Sequence, residues 1–213
     1  GSITQLLTQH ANNSAPALLF DDVPGYPRGF RTLYGHFSTT RRIALTLGLP
    51  INLPRKVDYV KAYHKRLSEL KPIPPRYVDT GPILENVITD DDVNVLKFPA
   101  PIHHEQDKAR YIGTASCCMT QDPDDGWYNI GAYRCQVYDE KTIGCQITEG
   151  KHGRIHRDKN FERGQAMKFV IIVGQDPLLF MVSGSPLPDG LPELDVAGGL
   201  RGEPIDVIRG PYT

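Results

Sequence analysis

Tyr111-Ile112-Gly113-Thr114-Ala115-Ser116-Cys117-Cys118-Met119-Thr120 opens the stretch whose reading decides the fold. The run is largely apolar and is closed by Asp122-Pro123-Asp124-Asp125-Gly126, whose residue types favour a turn. A second run at 128–138, a turn at Asp139-Glu140-Lys141 and a third run at 142–148 follow. Three strands joined by short turns predict an antiparallel meander. Downstream, a polar segment at 151–163 reads as a helix, 167–173 as an apolar strand and Gly174-Gln175-Asp176-Pro177 as a turn. Short helices at 178–182 and 192–200 and a last strand at 205–208 complete that side. Upstream, 17–20 and 30–36 read as strands around the turn Pro24-Gly25-Tyr26-Pro27-Arg28-Gly29. Ser38 or Thr39 caps a helix that Gly48 and Pro50 end. Pro54 suits the first turn of another helix, with Val57, Val60, Tyr63, Leu67 and Leu70 as its apolar stripe. Lys71-Pro72-Ile73-Pro74-Pro75 ends it and marks an internal boundary, dividing residues 1–75 from 76–213. The sum is an α+β protein on an antiparallel sheet able to curl into a barrel.

A chain of 213 residues can bury a substantial core. Its 24 basic and 25 acidic residues nearly cancel, so the composition builds no field for a polyanion and nucleic acid is not an expected partner. Cys117, Cys118, Cys135 and Cys145 lack the C-x-x-C spacing and sit among apolar residues. That pattern suits buried thiols in a reducing compartment better than disulfides or zinc ligands. With no apolar run near the ~18 residues of a membrane span, the expected location is the cytoplasm. Gly1-Ser2 and the acceptor-like triplet Asn12-Asn13-Ser14 carry no argument.

Three segments bear candidate chemistry. In Asn129-Ile130-Gly131-Ala132-Tyr133-Arg134, the amide of Asn129 offers a neutral hard oxygen, Gly131 leaves room for a flat ring and Arg134 is a fork for a carboxylate. Arg134 paired with a surface acid and Gly131 relieving crowding is the plainer alternative. Asn129 and Arg134 fall on opposite faces of a regular strand, which predicts that Asn129 acts from the preceding turn. In Gly150-Lys151-His152-Gly153-Arg154-Ile155-His156, basic residues at a helix start suit a phosphate, and His152 suits a metal if its second nitrogen has an orienting partner. Alternatively His152 and His156 merely share a helix face. Ser183-Gly184-Ser185-Pro186-Leu187-Pro188-Asp189-Gly190-Leu191-Pro192-Glu193 is a rigid loop ending on a carboxylate, which is either a ligand or an ordinary first-turn acid. Asn, His and Glu together form a mixed N/O set suited to manganese or magnesium. His103-His104 beside Glu105 reads as loop structure.

In this order, and with Phe98-Pro99-Ala100-Pro101-Ile102-His103-His104-Glu105 and Ala197-Gly198-Gly199-Leu200-Arg201-Gly202-Glu203-Pro204, these segments resemble UbiD-type decarboxylases. The resemblance implies a split β-barrel, flavin-reductase-like cofactor domain over 76–213, a partial, small α/β region over 1–75, and an N-terminal stretch and C-terminal domain outside this chain. It implies a reversible non-oxidative carboxy-lyase acting on aromatic, heteroaromatic or α,β-unsaturated acids through prenylated FMN. A non-catalytic flavin-binding module and a flavin reductase-like protein are the alternatives. By position, Asn129, His152 and Glu193 would hold Mn2+, with K+ beside Glu193 and the carbonyls of 183–185. Thr114, Ile130, Gly131, Ala132, Tyr133, Arg134, Lys151, Ser185 and Pro186 would line the cofactor. Arg134 matches the catalytic arginine that positions the substrate carboxylate. Two glutamates of its network, the proton donor among them, are expected after the segment matching 204–208, so this chain alone would not turn over. A flavin prenyltransferase would supply the cofactor, and the parent protein would be a homo-oligomer.

Overall fold

The computed structural model describes residues 2–9 and 15–210; Gly1 and Asn12-Asn13-Ser14 lie outside the described residues. Helix α1 (Ser2–Gln9), absent from the sequence reading, precedes β1 (Leu18–Phe20) and β2 (Thr32–Tyr34), an antiparallel pair. Thr39 accepts the Arg42 N–H and caps α2 (Thr40–Thr46), which runs into Gly48 at φ +63°. Helix α3 (Lys56–Ser68) begins after Pro54, with Arg55 as its cap rather than the proline in its first turn. Its expected apolar stripe is also rotated: Tyr63 and Leu70 reach the core, whereas Val57, Val60 and Leu67 are exposed. Polar anchors set that phase. The Tyr59 hydroxyl accepts the Leu53 N–H at 3.0 Å and donates to the Ile51 carbonyl at 2.8 Å, and Arg66 donates to the Leu200 carbonyl.

The runs at 111–120 and 128–138 are each two strands, not one. They give β4 (Arg110–Gly113), β5 (Cys117–Gln121), β6 (Tyr128–Gly131) and β7 (Arg134–Val137), followed by β8 (Ile143–Gln146). Both runs break at one level, 114–116 facing 132–133, so the hairpin bends across itself. β5 pairs with β6 on one side of the bend and β4 with β7 on the other, with a register slip between Tyr111 and Gly113. Close approach forces the break: a Cβ on Gly113 would lie 2.3 Å from Ser116 Oγ and 3.1 Å from Cys135 Cβ. With β9 (Phe169–Ile172) joining β5 and β8 joining β7, the outcome is two three-stranded antiparallel sheets, β4-β7-β8 and β6-β5-β9. Among the described residues no ladder closes them into a barrel.

Three further helices are α4 (His152–Glu162), α5 (Pro177–Ser183) and α6 (Glu193–Arg201). A two-residue parallel ladder joins β3 (Arg76–Tyr77) to β10 (Asp206–Val207), clamped by the Arg76 fork on Asp206 at 2.7 and 3.0 Å. Strand alternation divides the core. Cys117 points with Ile130 and Leu194 toward the helices, and Cys118 points with Tyr133 and Cys135 to the other face. A third cluster, Leu47, Leu178, Val182, Val196, Ala197 and Leu200, draws in Ile43, Tyr63 and Leu70, so α2 and α3 share a core with α5 and α6. The cysteines are free, three buried and Cys145 half-buried. No helix among the described residues is long and apolar enough to cross a membrane.

Candidate functional site

Strand β6 and the starts of α4 and α6 meet around the Tyr133 side chain. Its hydroxyl accepts the Gly153 N–H at 3.2 Å and an amide proton of Asn129 at 3.3 Å. Its ring fills the space beside Gly131, where a Cβ would come within 2.2 Å of Tyr133 Cζ, and also crowds Gly153. Gly131 therefore does leave room for a flat ring, and in this structure that ring is Tyr133's own.

Asn129 is 3% exposed and sits within β6 opposite Thr120, not in the preceding turn. The break at 132–133 interrupts the alternation that separated it from Arg134. Its Nδ2 donates to Thr120 Oγ1 at 3.2 Å as well as to Tyr133. Thr120 Oγ1 lies 2.9 Å from Nδ1 of His156, which is fully buried. A hydroxyl has one proton to give, so Thr120 donates it to His156 and receives from Asn129. His156 then carries its own proton on Nε2, which faces Asp122 Oδ2 at 3.6 Å. With both Nδ2 protons engaged, Oδ1 is the Asn129 atom left to accept or ligate.

Glu193 is 4% exposed, and its Oε2 accepts the Ile130 N–H at 2.9 Å. Burial pushes its pKa above the usual carboxylate value; the Ile130 N–H, its own backbone N–H and the charge of His152 oppose that rise. No lysine or arginine pairs with it among the described residues. His152 Nε2 lies 2.8 Å from Asp189 Oδ1 and its ring stands edge-on to Trp127, which leaves Nδ1 for a ligand. A buried carboxylate without a lysine or arginine partner, a free amide oxygen and an oriented imidazole are the donors a hard divalent ion takes. The residues present fit manganese.

Of the other candidate residues, Ile130 and Gly131 are buried while Ala132, Lys151 and Pro186 are exposed. Half-buried Ser185 donates from its hydroxyl to the Met181 carbonyl, and the Ala132 N–H donates to the Ser183 carbonyl at 3.3 Å, tying the proline-rich loop to the bend. Thr114 and Arg134 lie elsewhere, in the wall of a cavity of about 670 Å³ with Tyr34, His103, His104 and Asp107. That wall includes none of Asn129, His152 and Glu193. His103 and His104 are on a loop, as read, and the loop serves the cavity. Sequence reasoning missed Thr120, Asp122 and Asp189. For His156 the spacing of four from His152 was legible, but not the strand hydroxyl it meets.

Residues 76–213 match the family model UbiD, the 3-octaprenyl-4-hydroxybenzoate carboxy-lyase Rift-related domain. The pyrrole-2-carboxylic acid decarboxylase of Pseudomonas aeruginosa is 32% identical over 98% of this chain and 42% of that protein. The vanillic acid decarboxylase of Sedimentibacter hydroxybenzoicus in its closed form superposes with a TM-score of 0.88 at 25% identity, over 100% of this chain and 44% of that one. An evolved dimeric UbiD-class enzyme of Pelotomaculum thermopropionicum, in complex with prFMN, superposes with a TM-score of 0.83 at 24% identity, over 97% and 46%. The chain thus spans less than half the length of each of these relatives.

Proposed function

The chain belongs to the UbiD family, and from that premise we propose that it is the cofactor-binding part of a reversible non-oxidative (de)carboxylase acting on aromatic, heteroaromatic or α,β-unsaturated acids with prenylated FMN. The observation that carries this reading is the buried Glu193 carboxylate, held by the backbone N–H of Ile130, the residue after buried Asn129, and by no lysine or arginine among the described residues. Asn129 Oδ1, His152 Nδ1 and Glu193 hold Mn2+, with Asp189 orienting the imidazole. Potassium sits by the carbonyls of 183–185. The two sheets are the halves of a split barrel, with 76–213 as the cofactor domain and 1–75 as the region packed on it.

Once bound, the prenylated flavin supplies the electron sink that loss of CO2 requires. The chain's own work is binding and orientation. Lys151 at the start of α4 meets phosphate charge, and Arg134 in the cavity wall offers its guanidinium to a substrate carboxylate. Thr114 in that wall, and Ile130, Gly131, Ala132, Tyr133, Ser185 and Pro186 outside it, would line the flavin. A flavin prenyltransferase supplies the cofactor, and the parent protein is a homo-oligomer. The Asn, His and Glu set favours this reading over a flavin reductase, which has no use for it.

Reconstitution tests it. The chain is loaded with Mn2+ and prenylated FMN, and manganese resonance, visible absorbance and CO2 release from cinnamic, hydroxybenzoic and heteroaromatic acids are followed. Asn129→Ala and Glu193→Gln are expected to weaken metal and flavin together, by about tenfold or more. Binding by this chain with CO2 released by the full-length parent is the expected result; binding with no CO2 from the parent either would favour the non-catalytic module. A folded chain that takes up neither ligand would sink both.

A further inference from the structure

We propose that Cys118, Cys135 and Cys145 form a three-sulfur site for a soft monovalent cation of the Cu(I) class, distinct from the hard-donor site at Glu193. The three come from three strands, β5, β7 and β8, and Cys135 and Cys145 are direct cross-strand partners. Cys118 Sγ lies 3.6 Å from Cys135 Sγ, Cys135 Sγ lies 3.9 Å from Cys145 Sγ, and all three sulfurs fall within 4.8 Å of one another. A triangle with edges near 3.9 Å has its centre about 2.3 Å from each corner, which is the length of a metal–thiolate bond. The sulfurs are therefore already spaced as ligands.

The surroundings select the ion. Cys118 and Cys135 are fully buried, and Cys145 is half-buried and offers the way in. Ile112, Ile143, Ile147, Phe169 and Ile171 enclose the group. No fourth His, Cys, Asp or Glu joins the group among the described residues. Zinc asks for four ligands in a closed site, whereas soft sulfur donors in an apolar shell select Cu(I). The first proton to leave belongs to Cys135, because contact with the sulfurs of Cys118 and Cys145 holds its pKa down while theirs rise. A monovalent cation meeting that single thiolate gives a neutral centre, and further coordination by the two thiols releases their protons. Cys117, on the opposite face of β5 against Ser183, stands apart.

The reduced full chain is titrated anaerobically with Cu(I) against bicinchoninate as competitor. One equivalent is expected, with three sulfur neighbours by X-ray absorption and with half-buried Cys145 becoming protected from alkylation when Cu(I) is added to the unaltered chain. Cys145→Ser and Cys135→Ser should weaken binding by about tenfold or more, Cys117→Ser should not, and Mn2+ uptake should be unchanged in Cys145→Ser. Failure of the folded chain to take Cu(I), or equal affinity in Cys145→Ser, overturns the proposal and leaves the thiols as packing alone.

Discussion

Thr120 decides which way Asn129 faces. Thr120→Val removes the acceptor of one buried amide proton and the donor to His156 Nδ1. The expected cost is about 1–3 kcal/mol in urea unfolding, with Mn2+ affinity falling as the Asn129 amide is freed to turn. Asp189→Asn should lower Mn2+ affinity about 10–100-fold by unseating His152, with folding stability little changed since Asp189 is exposed. His156 gives a pH signature. Burial lowers its pKa below the ordinary histidine value, outweighing the opposing effect of Asp122, and the charges of Lys159 and His152 add to the lowering. As pH falls through about 6.5 the unfolded chain takes a proton the folded chain refuses, so this group's stabilisation is present above that pH and is lost down to the folded pKa. Thermal midpoints measured across this range should drop on acidification, and His156→Gln should flatten the slope. Ligand-type residues were legible because their chemistry is written in their names. Thr120 was not, since a hydroxyl in a strand has no spacing that announces its partner.

Gly131 and Tyr133 show why element boundaries were harder to read than elements. Apolar character between turn residues marked the runs at 111–120 and 128–138, but their breaks arise from contacts between distant residues, such as the approach of Gly113 to Cys135. Likewise α3 was found in place yet turned on its axis, because Tyr59 and Arg66 outrank Val57 and Val60 in choosing the buried face. Gly131→Ala should drive a methyl into the Tyr133 ring and cost about 1–3 kcal/mol. Pairing it with Tyr133→Ala should recover part of that loss, a non-additivity that a double-mutant cycle in urea would read. Strict additivity would show that the ring is not what Gly131 accommodates.

The molecule as a whole is bound by the helical cluster. Leu47, Ile43, Tyr63 and Leu70 from the first third of the chain close over Val182, Val196 and Leu200 from the last. Denaturation of the full chain should therefore give coincident far- and near-ultraviolet transitions, and two separated transitions would contradict a shared core. A proline-rich stretch at 71–75 marks a boundary in sequence, yet composition does not report what packs across it. The β3–β10 ladder has a different kind of consequence. Arg76 and Asp206 stand one strand spacing apart, about 4.8 Å, so the polypeptide between them departs and returns through a single doorway. Ends held side by side let extra chain be inserted on either side of the doorway without the path between them being redrawn, while the helices stay packed on Ile43, Tyr63 and Leu70.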